Sequence, residues 1–221
     1  MDYDELISRL KAMENPENVA GMARFGISSK NTLGISVVTL RKIAREVGKD
    51  HALAQKLWSS GIHEARLLAC FIADPKKVTP ALMNRWVKGF DSWDVCDQCC
   101  MNLFDKTPYA YEKVKEWSQR KEEFVKRAAF ALMAGLAFHD KKASNANFQR
   151  FFPIIKAAAT DSRNYVKKAV NWALRQIGKR NAFLHREAMR TANQIAKIDS
   201  SSARWIATDA IRELKSKTPR A

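Results

Sequence analysis

The chain has 221 residues, of which 39 are Lys or Arg and 23 are Asp or Glu, so its formal net charge is +16. So large a positive excess favours a polyanionic partner, and nucleic acid is the leading one. A basic chain could instead bind an anionic membrane, but no hydrophobic span, basic amphipathic helix or lipidation signal is evident. The acidic N-terminus also lacks the apolar core of an export signal. We therefore expect no membrane partner and a cytoplasmic, nucleoid-associated protein.

Apolar residues recur at helical spacing along the whole chain, and no run of alternating polarity indicates a strand. Gly34, Gly48 and Gly61 stand at or near predicted helix ends, as do most of the prolines. No linker-like stretch interrupts the helical pattern. The sequence therefore predicts an all-α fold in a single domain, residues 1–221.

The segment WDVCD, residues 93–97, begins a predicted apolar helix directly after Ser92, a residue type that favours the N-cap position. Its two carboxylates, Asp94 and Asp97, have an ordinary explanation, since acidic side chains in a first helical turn complement the helix dipole. A second interpretation is that an anion embedded in so basic a chain performs chemistry on a polyanion. From residue type alone the first interpretation is stronger.

The four cysteines are Cys70, Cys96, Cys99 and Cys100, and three of them lie on this one predicted helix. They cannot form a disulfide framework between distant segments, so we expect reduced thiols. A zinc site would need a second Cys or His pair at finger spacing, and none follows. We expect small buried side chains and no metal.

An internal repeat follows further along the chain. FVKRAA (124–129) and YVKKAV (165–170) share an aromatic residue, Val, two basic residues and Ala in register, at an offset of 41 residues. That offset lies within the period of about 40–47 residues that is typical of HEAT and armadillo helix pairs. Weaker copies of this repeat begin near Glu64, Ser92 and Ser202. The sequence therefore predicts a HEAT-like helical-repeat solenoid.

The second helices of the predicted pairs carry basic residues, and in a solenoid such helices line one concave surface. The cations expected there are Arg66, Lys126, Arg127, Lys167, Lys168, Arg175, Arg204 and Arg212. Stacked repeats would then present a basic concave face suited to a duplex backbone. The alternative is a set of solvated charges on ordinary surface helices.

The remaining aromatic and imidazole side chains give no site signal. Four tryptophans are expected in the core because tryptophan is usually largely buried: Trp58, Trp86, Trp117 and Trp205. The four histidines are scattered without a partnering pattern, which argues against a His-based triad or metal site. No Gly-rich phosphate loop or dinucleotide motif is present, so we expect no cofactor.

Four landmarks occur in one order: LGI (33–35) with LR (40–41), WDVCD (93–97), KRAA (126–129) and KAVNWALR (168–175). Through them the chain resembles the AlkD-like DNA alkylation-repair glycosylases, a family of HEAT-like repeat proteins, over nearly its whole length. The resemblance implies hydrolysis of the N-glycosidic bond of N3- and N7-alkylated purines in duplex DNA. It further implies that the lesion is not rotated into a deep pocket.

The resemblance also assigns roles to particular residues. Asp97 takes the position of the catalytic carboxylate, Trp93 and Trp172 those of cleft aromatics, and Arg127 that of a basic cleft residue. The positions matched with DNA-backbone contacts are Arg41, Arg175, Lys126, Lys168 and Phe25. At Phe25 many relatives carry Tyr, so this chain keeps the ring and lacks the hydroxyl.

These residue types fit the chemistry. An alkylated purine is cationic and leaves without protonation, so one carboxylate that offsets the developing oxocarbenium charge can suffice. We expect a cofactor-free, monomeric DNA-alkylpurine glycosylase. Two alternatives stay open: a non-catalytic HEAT-repeat protein that binds DNA, and a protein-interaction scaffold whose concave face binds an acidic partner.

Overall fold

Helices make up all the regular secondary structure in the part of the chain that the computed structural model describes, residues 1–216. The all-α prediction is therefore confirmed. The chain forms two units, one covering Met1–Pro108 and the other beginning at Tyr109. Within residues 1–216, no helix has the length and apolar character needed to span a membrane.

The first unit contains seven α-helices and two short 3-10 turns. The helices are α1 (Tyr3–Ala12), α2 (Pro16–Arg24), α3 (Val37–Val47), α4 (His51–Ser59), α5 (His63–Ile72), α6 (Pro80–Lys88) and α7 (Trp93–Asn102), and the turns are Pro75–Lys77 and Phe104–Lys106. The described part of the second unit contains α8 (Ala110–Ser118), α9 (Glu123–His139), α10 (Asn145–Gln149), α11 (Phe151–Ala157), α12 (Asn164–Gly178), α13 (Ala182–Ile195) and α14 (Ser201–Ser216).

Polar side chains fix the starts of several helices. The N-cap side chains that accept an N–H from the first helical turn are Asp2, Asn15, Ser36, Asp50, Thr79 and Asn181. Each such cap is worth about 1 kcal/mol. Ser92 stands at the N-cap of α7 as expected, but its hydroxyl accepts no hydrogen bond from that helix.

Helices α5 and α7 pack together in the core of the first unit. All four cysteines lie at this packing and are buried, as the sequence predicts. Burial raises the pKa of the Cys99 and Cys100 thiols well above the ordinary value, so both stay protonated. They fill space in the core rather than presenting a reactive thiolate.

The 41-residue repeat corresponds to helices α9 and α12 of the second unit, which begin at Glu123 and Asn164. The two helices pack on each other, and the rings of Phe124 and Tyr165 stack with centroids 5.4 Å apart. The repeated aromatic residue therefore joins one helix to its copy at the same point of each.

Three of the four tryptophans expected in the core are buried, namely Trp58, Trp86 and Trp117. Trp58 and Trp86 stack face to face at 4.3 Å. The prediction is wrong for Trp205 on α14, which is 39% exposed. Its ring lies 5.0 Å from the Lys167 ammonium, a cation–π contact at the surface instead of a core position.

Candidate functional site

A cleft of about 660 Å³ opens in the first unit between α2, the 33–36 loop, α5 and α7. We call it the α2–α7 cleft. Its lining is mainly apolar and aromatic, with one carboxylate from α7: Glu17, Asn18, Gly21, Met22, Phe25, Ile27, Gly34, Ile35, Ser36, Val37, Leu67, Trp93, Asp94 and Gln98. Two residues singled out by the sequence, Trp93 and Phe25, are thus brought into one cavity.

The indole of Trp93 is fixed at the mouth of this cleft. Its Nε1 donates a hydrogen bond to the main-chain oxygen of Phe25, 3.0 Å away. The Phe25 ring is 73% exposed at the end of α2, and that helix has no buried side chain. Trp93 and the exposed Phe25 therefore both line one open cleft.

A buried carboxylate shapes the 33–35 loop, which contributes Gly34 and Ile35 to the cleft lining. Glu64 of α5 accepts N–H groups from three successive residues, Leu33, Gly34 and Ile35, at 2.8, 2.8 and 3.3 Å. The main-chain oxygen of Gly34 in turn accepts the side-chain amide of Asn18, which ties α2 to this loop. The LGI landmark of the sequence is therefore a loop folded around the Glu64 carboxylate.

Asp94 lines the cleft and forms a buried pair with His63. The His63 Nε2 and Asp94 Oδ2 atoms lie 2.8 Å apart, and Asp94 Oδ1 accepts the N–H of Val95 at the start of α7. Burial opposes both charges, yet the mutual hydrogen bond prevails, so the pKa of Asp94 is lowered and that of His63 is raised. The pair joins the first turn of α5 to the first turn of α7.

His63 and Glu64 are functional candidates that sequence analysis missed. Their partners lie about 30 residues away along the chain, and only the packing of α5 brings them close. The one available signal was positional, since both residues and Asp94 stand in the first turn of a helix.

Asp97 lies one turn after Trp93 on α7 and is half-buried. Residues four apart share a helix face, so the spacing puts Asp97 on the Trp93 side of α7. The α7 residues that line the α2–α7 cleft are nevertheless Trp93, Asp94 and Gln98, and Asp97 is not among them. The part of the chain described here contains no group of His, Cys, Asp or Glu residues suited to a metal ion.

Arg41 of α3 lies beside α7 in the same unit. Its guanidinium donates to Gln98 Oε1 and Asn102 Oδ1 at 3.0 and 3.1 Å, and it stacks over the Phe71 ring. No acidic partner holds it within residues 1–216. Gln98 also lines the α2–α7 cleft, so this one residue both contributes to the cleft and accepts the Arg41 hydrogen bond.

The site residues predicted in the second unit have varied surroundings. Lys168 is exposed and Trp172 is half-buried on α12. Arg127 is only 5% exposed and donates to the main-chain oxygen of Tyr165 at 2.6 Å.

Two other predicted cations of this unit are paired with carboxylates. Lys126 bonds Asp161 at 2.9 Å, and Arg175 is paired with Glu213. Arg163 also binds Asp161, and together with the Lys126 bond it lowers the pKa of that carboxyl despite partial burial. The basic concave face therefore stays a prediction, since part of its charge is compensated locally.

The chain matches the model of the family described as DNA alkylation repair enzyme over residues 6–214. One solved structure aligns with 100% of this chain and 99% of its own, at a TM-score of 0.80 and 20% identity. That structure belongs to a new family of proteins related to the HEAT-like repeat DNA glycosylases with affinity for branched DNA structures.

That likeness confirms the predicted HEAT-like repeat fold. A designed armadillo repeat protein in complex with the peptide (KR)4 matches at a TM-score of 0.35 and 14% identity over 80% of each chain, too distant to carry an argument. No curated protein matches. The family match confirms the resemblance drawn from the four sequence landmarks, and the chain belongs to the DNA alkylation repair enzyme family.

Proposed function

We propose that this protein is a DNA glycosylase that hydrolyses the N-glycosidic bond of cationic N3- and N7-alkylpurines in duplex DNA. The observation that supports the proposal is an open cleft with a fixed Trp93 indole and the Asp94 carboxylate in its lining, and Asp97 follows Trp93 one turn later on α7. Membership of the DNA alkylation repair enzyme family supports an action on alkylated DNA. We further propose that it acts as a monomer on intracellular DNA, without a cofactor.

The chemistry requires little of the protein. The alkylated purine already carries a positive charge, so it leaves without an acid, and the deoxyribose becomes oxocarbenium-like as the bond lengthens. The Asp97 carboxylate would offset that charge and orient the attacking water. The Trp93 ring would favour the cationic base by cation–π attraction of about 0.5–2 kcal/mol.

The proposed contacts with the duplex backbone come from cations of both units. Arg41 and Lys168 are proposed to contact phosphates directly, because neither is paired with a carboxylate within residues 1–216. Lys126, Arg175 and Arg127 already bond protein groups, so a phosphate contact would share or replace those bonds. Such contacts fix the register of the protein without reading the base sequence.

Replacing Asp97 by Asn tests the catalytic assignment. The amide keeps size and hydrogen bonding but removes the charge, so release of 7-methylguanine from a duplex should fall on the order of a hundredfold or more, with duplex affinity retained. Asp91→Asn is the matched control, since Asp91 is an exposed carboxylate near α7 paired with Arg66. Equal release by wild type and Asp97→Asn would reject the role of Asp97.

A second candidate function is non-catalytic binding of branched DNA. The solved structure that aligns along the whole chain is described as having affinity for such DNA, and this favours the candidate. The two functions separate in one experiment. A binder would prefer a four-way junction to a linear duplex of equal length and release no base, whereas a glycosylase releases base from the linear duplex.

A further inference from the structure

Four cations surround a hollow of about 370 Å³ in the first unit. We call it the α3 hollow. Arg41 and Arg45 come from α3, Lys49 follows that helix, and Lys106 ends the 3-10 turn after α7. The described residues that complete the wall are uncharged, so no carboxylate lines it.

Neutral groups hold two of these cations in place. The Arg41 guanidinium is fixed by the amide oxygens of Gln98 and Asn102 and lies 4.6 Å from the centre of the Phe71 ring. The Lys49 ammonium donates to two main-chain oxygens at the end of α5, those of Phe71 and Ala73, both at 2.9 Å. Both side chains are held by uncharged acceptors, so no carboxylate of the described residues neutralises their positive charge.

Gathering these charges has an electrostatic cost. Burial lowers the pKa of Lys49, and the nearby Lys106 ammonium lowers it further, while Asp74 only partly compensates. Across residues 1–216 none of the four cations forms an ion pair, unlike Lys126 and Arg175 of the second unit. An anion with several charges, bound in this hollow, would relieve the repulsion between these ordered and uncompensated cations.

Helix α7 relates the hollow to the α2–α7 cleft. Trp93 begins the helix and Asn102 ends it, and a rise of 1.5 Å per residue separates them by about 14 Å. For a duplex that runs along α7, that length corresponds to about four base pairs at 3.4 Å each. Gln98 lies between, lining the cleft and holding Arg41.

We infer that the α3 hollow binds the phosphodiester backbone of duplex DNA about four base pairs from the nucleotide that meets Trp93. The register in this statement rests on the proposed function, whereas the phosphate site itself does not. The hollow anchors the duplex through its backbone, and the cleft meets the damaged nucleotide.

The salt dependence of duplex binding tests the site without a lesion. The Lys49→Gln/Lys106→Gln variant should reduce the slope of log affinity against log salt by about 2, and weaken binding on the order of tenfold to a hundredfold at 0.1 M salt. The control is Lys11→Gln/Lys56→Gln, which removes the same charge from exposed positions of the same unit. Equal slopes for the two double variants would overturn the inference.

Neutral methylphosphonates placed one at a time along a lesion-containing strand test the register. Wild type should lose affinity when the substitution lies about three to five base pairs from the lesion, and the Lys49→Gln/Lys106→Gln variant should show no loss there. An identical profile for both proteins would overturn the register. Base release is measured separately with the wild-type protein, so a failure of the glycosylase proposal is distinguishable from a failure of the phosphate site.

A free phosphate compound could in principle use the same cations. Calorimetric titration with inorganic phosphate and with a mononucleotide distinguishes the two sources. Weak binding of both, together with the salt-slope effect on duplex, supports the DNA backbone as the ligand. Tight mononucleotide binding that the double variant abolishes, with duplex affinity unchanged, would overturn it.

Discussion

Asp94 and Asp97 illustrate how residue-scale surroundings separate two carboxylates of the same helical turn. Asp94 bonds His63 and a main-chain N–H, so its charge stabilises the packing of α5 on α7. Asp97 follows Trp93 by four residues on α7, whereas Asp94 is the carboxylate of this helix that lines the α2–α7 cleft. The spacing of Trp93 and Asp97 could be recognised from sequence because it is local, whereas the His63 partner could not, because tertiary packing defines it.

The His63–Asp94 pair predicts a pH dependence of stability. The pKa of His63 is raised, so its contribution is complete below the ordinary value of 6.5 and is lost as pH rises through the folded-state pKa. The pKa of Asp94 is lowered, so its contribution is present above 3.8 and is lost as pH falls through the folded-state value. The pair therefore stabilises the fold most between these two limits.

Urea unfolding of His63→Gln against wild type measures this contribution. The variant should lose about 2 kcal/mol at pH 5.5, because a charged hydrogen bond is removed from a buried pair, and the difference should shrink at pH 9. His185→Gln is the control, since that imidazole contacts the main-chain oxygen of Gly178 and bonds no carboxylate within residues 1–216. A difference that stays constant from pH 5.5 to 9 would contradict the assignment.

At the scale of elements, the 33–35 loop depends on one glycine. Gly34 has φ +75°, and a Cβ there would lie 2.3 Å from the Asn15 main-chain oxygen, where α2 begins. A side chain at this position would both strain the backbone and push α2 from the cleft. Gly48 has the same φ, but a Cβ would meet nothing within 4 Å.

Comparing Gly34→Ala with Gly48→Ala isolates the steric contact. Gly48→Ala should cost about 1 kcal/mol of unfolding free energy from the backbone conformation alone, and Gly34→Ala about 3 kcal/mol or more. Gly34→Ala should also weaken duplex binding, because α2 carries Phe25 at the cleft. Equal losses of stability in the two variants would show that the 33–35 loop does not need its close approach to α2.

The helices themselves followed well from sequence, and their charge pairing did not. The α9 and α12 repeat was visible because the pattern of Phe124 and Tyr165 is carried within each helix. The bonds from Lys126 to Asp161 and from Arg175 to Glu213 join residues more than 30 positions apart. Counting the Lys and Arg residues of a helix therefore overestimates the positive charge that the helix offers to a partner.

For the whole molecule, the formal charge of +16 and the family match both point to DNA. The sequence predicted the all-α repeat fold because periodicity and offset are properties of the chain itself. It did not predict the α2–α7 cleft or the α3 hollow, since each is assembled from several helices and loops. The exposed Trp205 was likewise not predicted, because the sequence analysis assigned it to the core together with Trp58, Trp86 and Trp117.

The central claim is that this chain removes cationic alkylpurines from duplex DNA. Incubating the wild-type protein with a duplex that contains 7-methylguanine, and measuring free base against spontaneous depurination, tests it most directly. We predict release that rises with protein concentration and far exceeds the spontaneous rate, while an unmodified duplex loses no base. Release at the spontaneous rate, from a folded protein that binds the duplex, would contradict the claim.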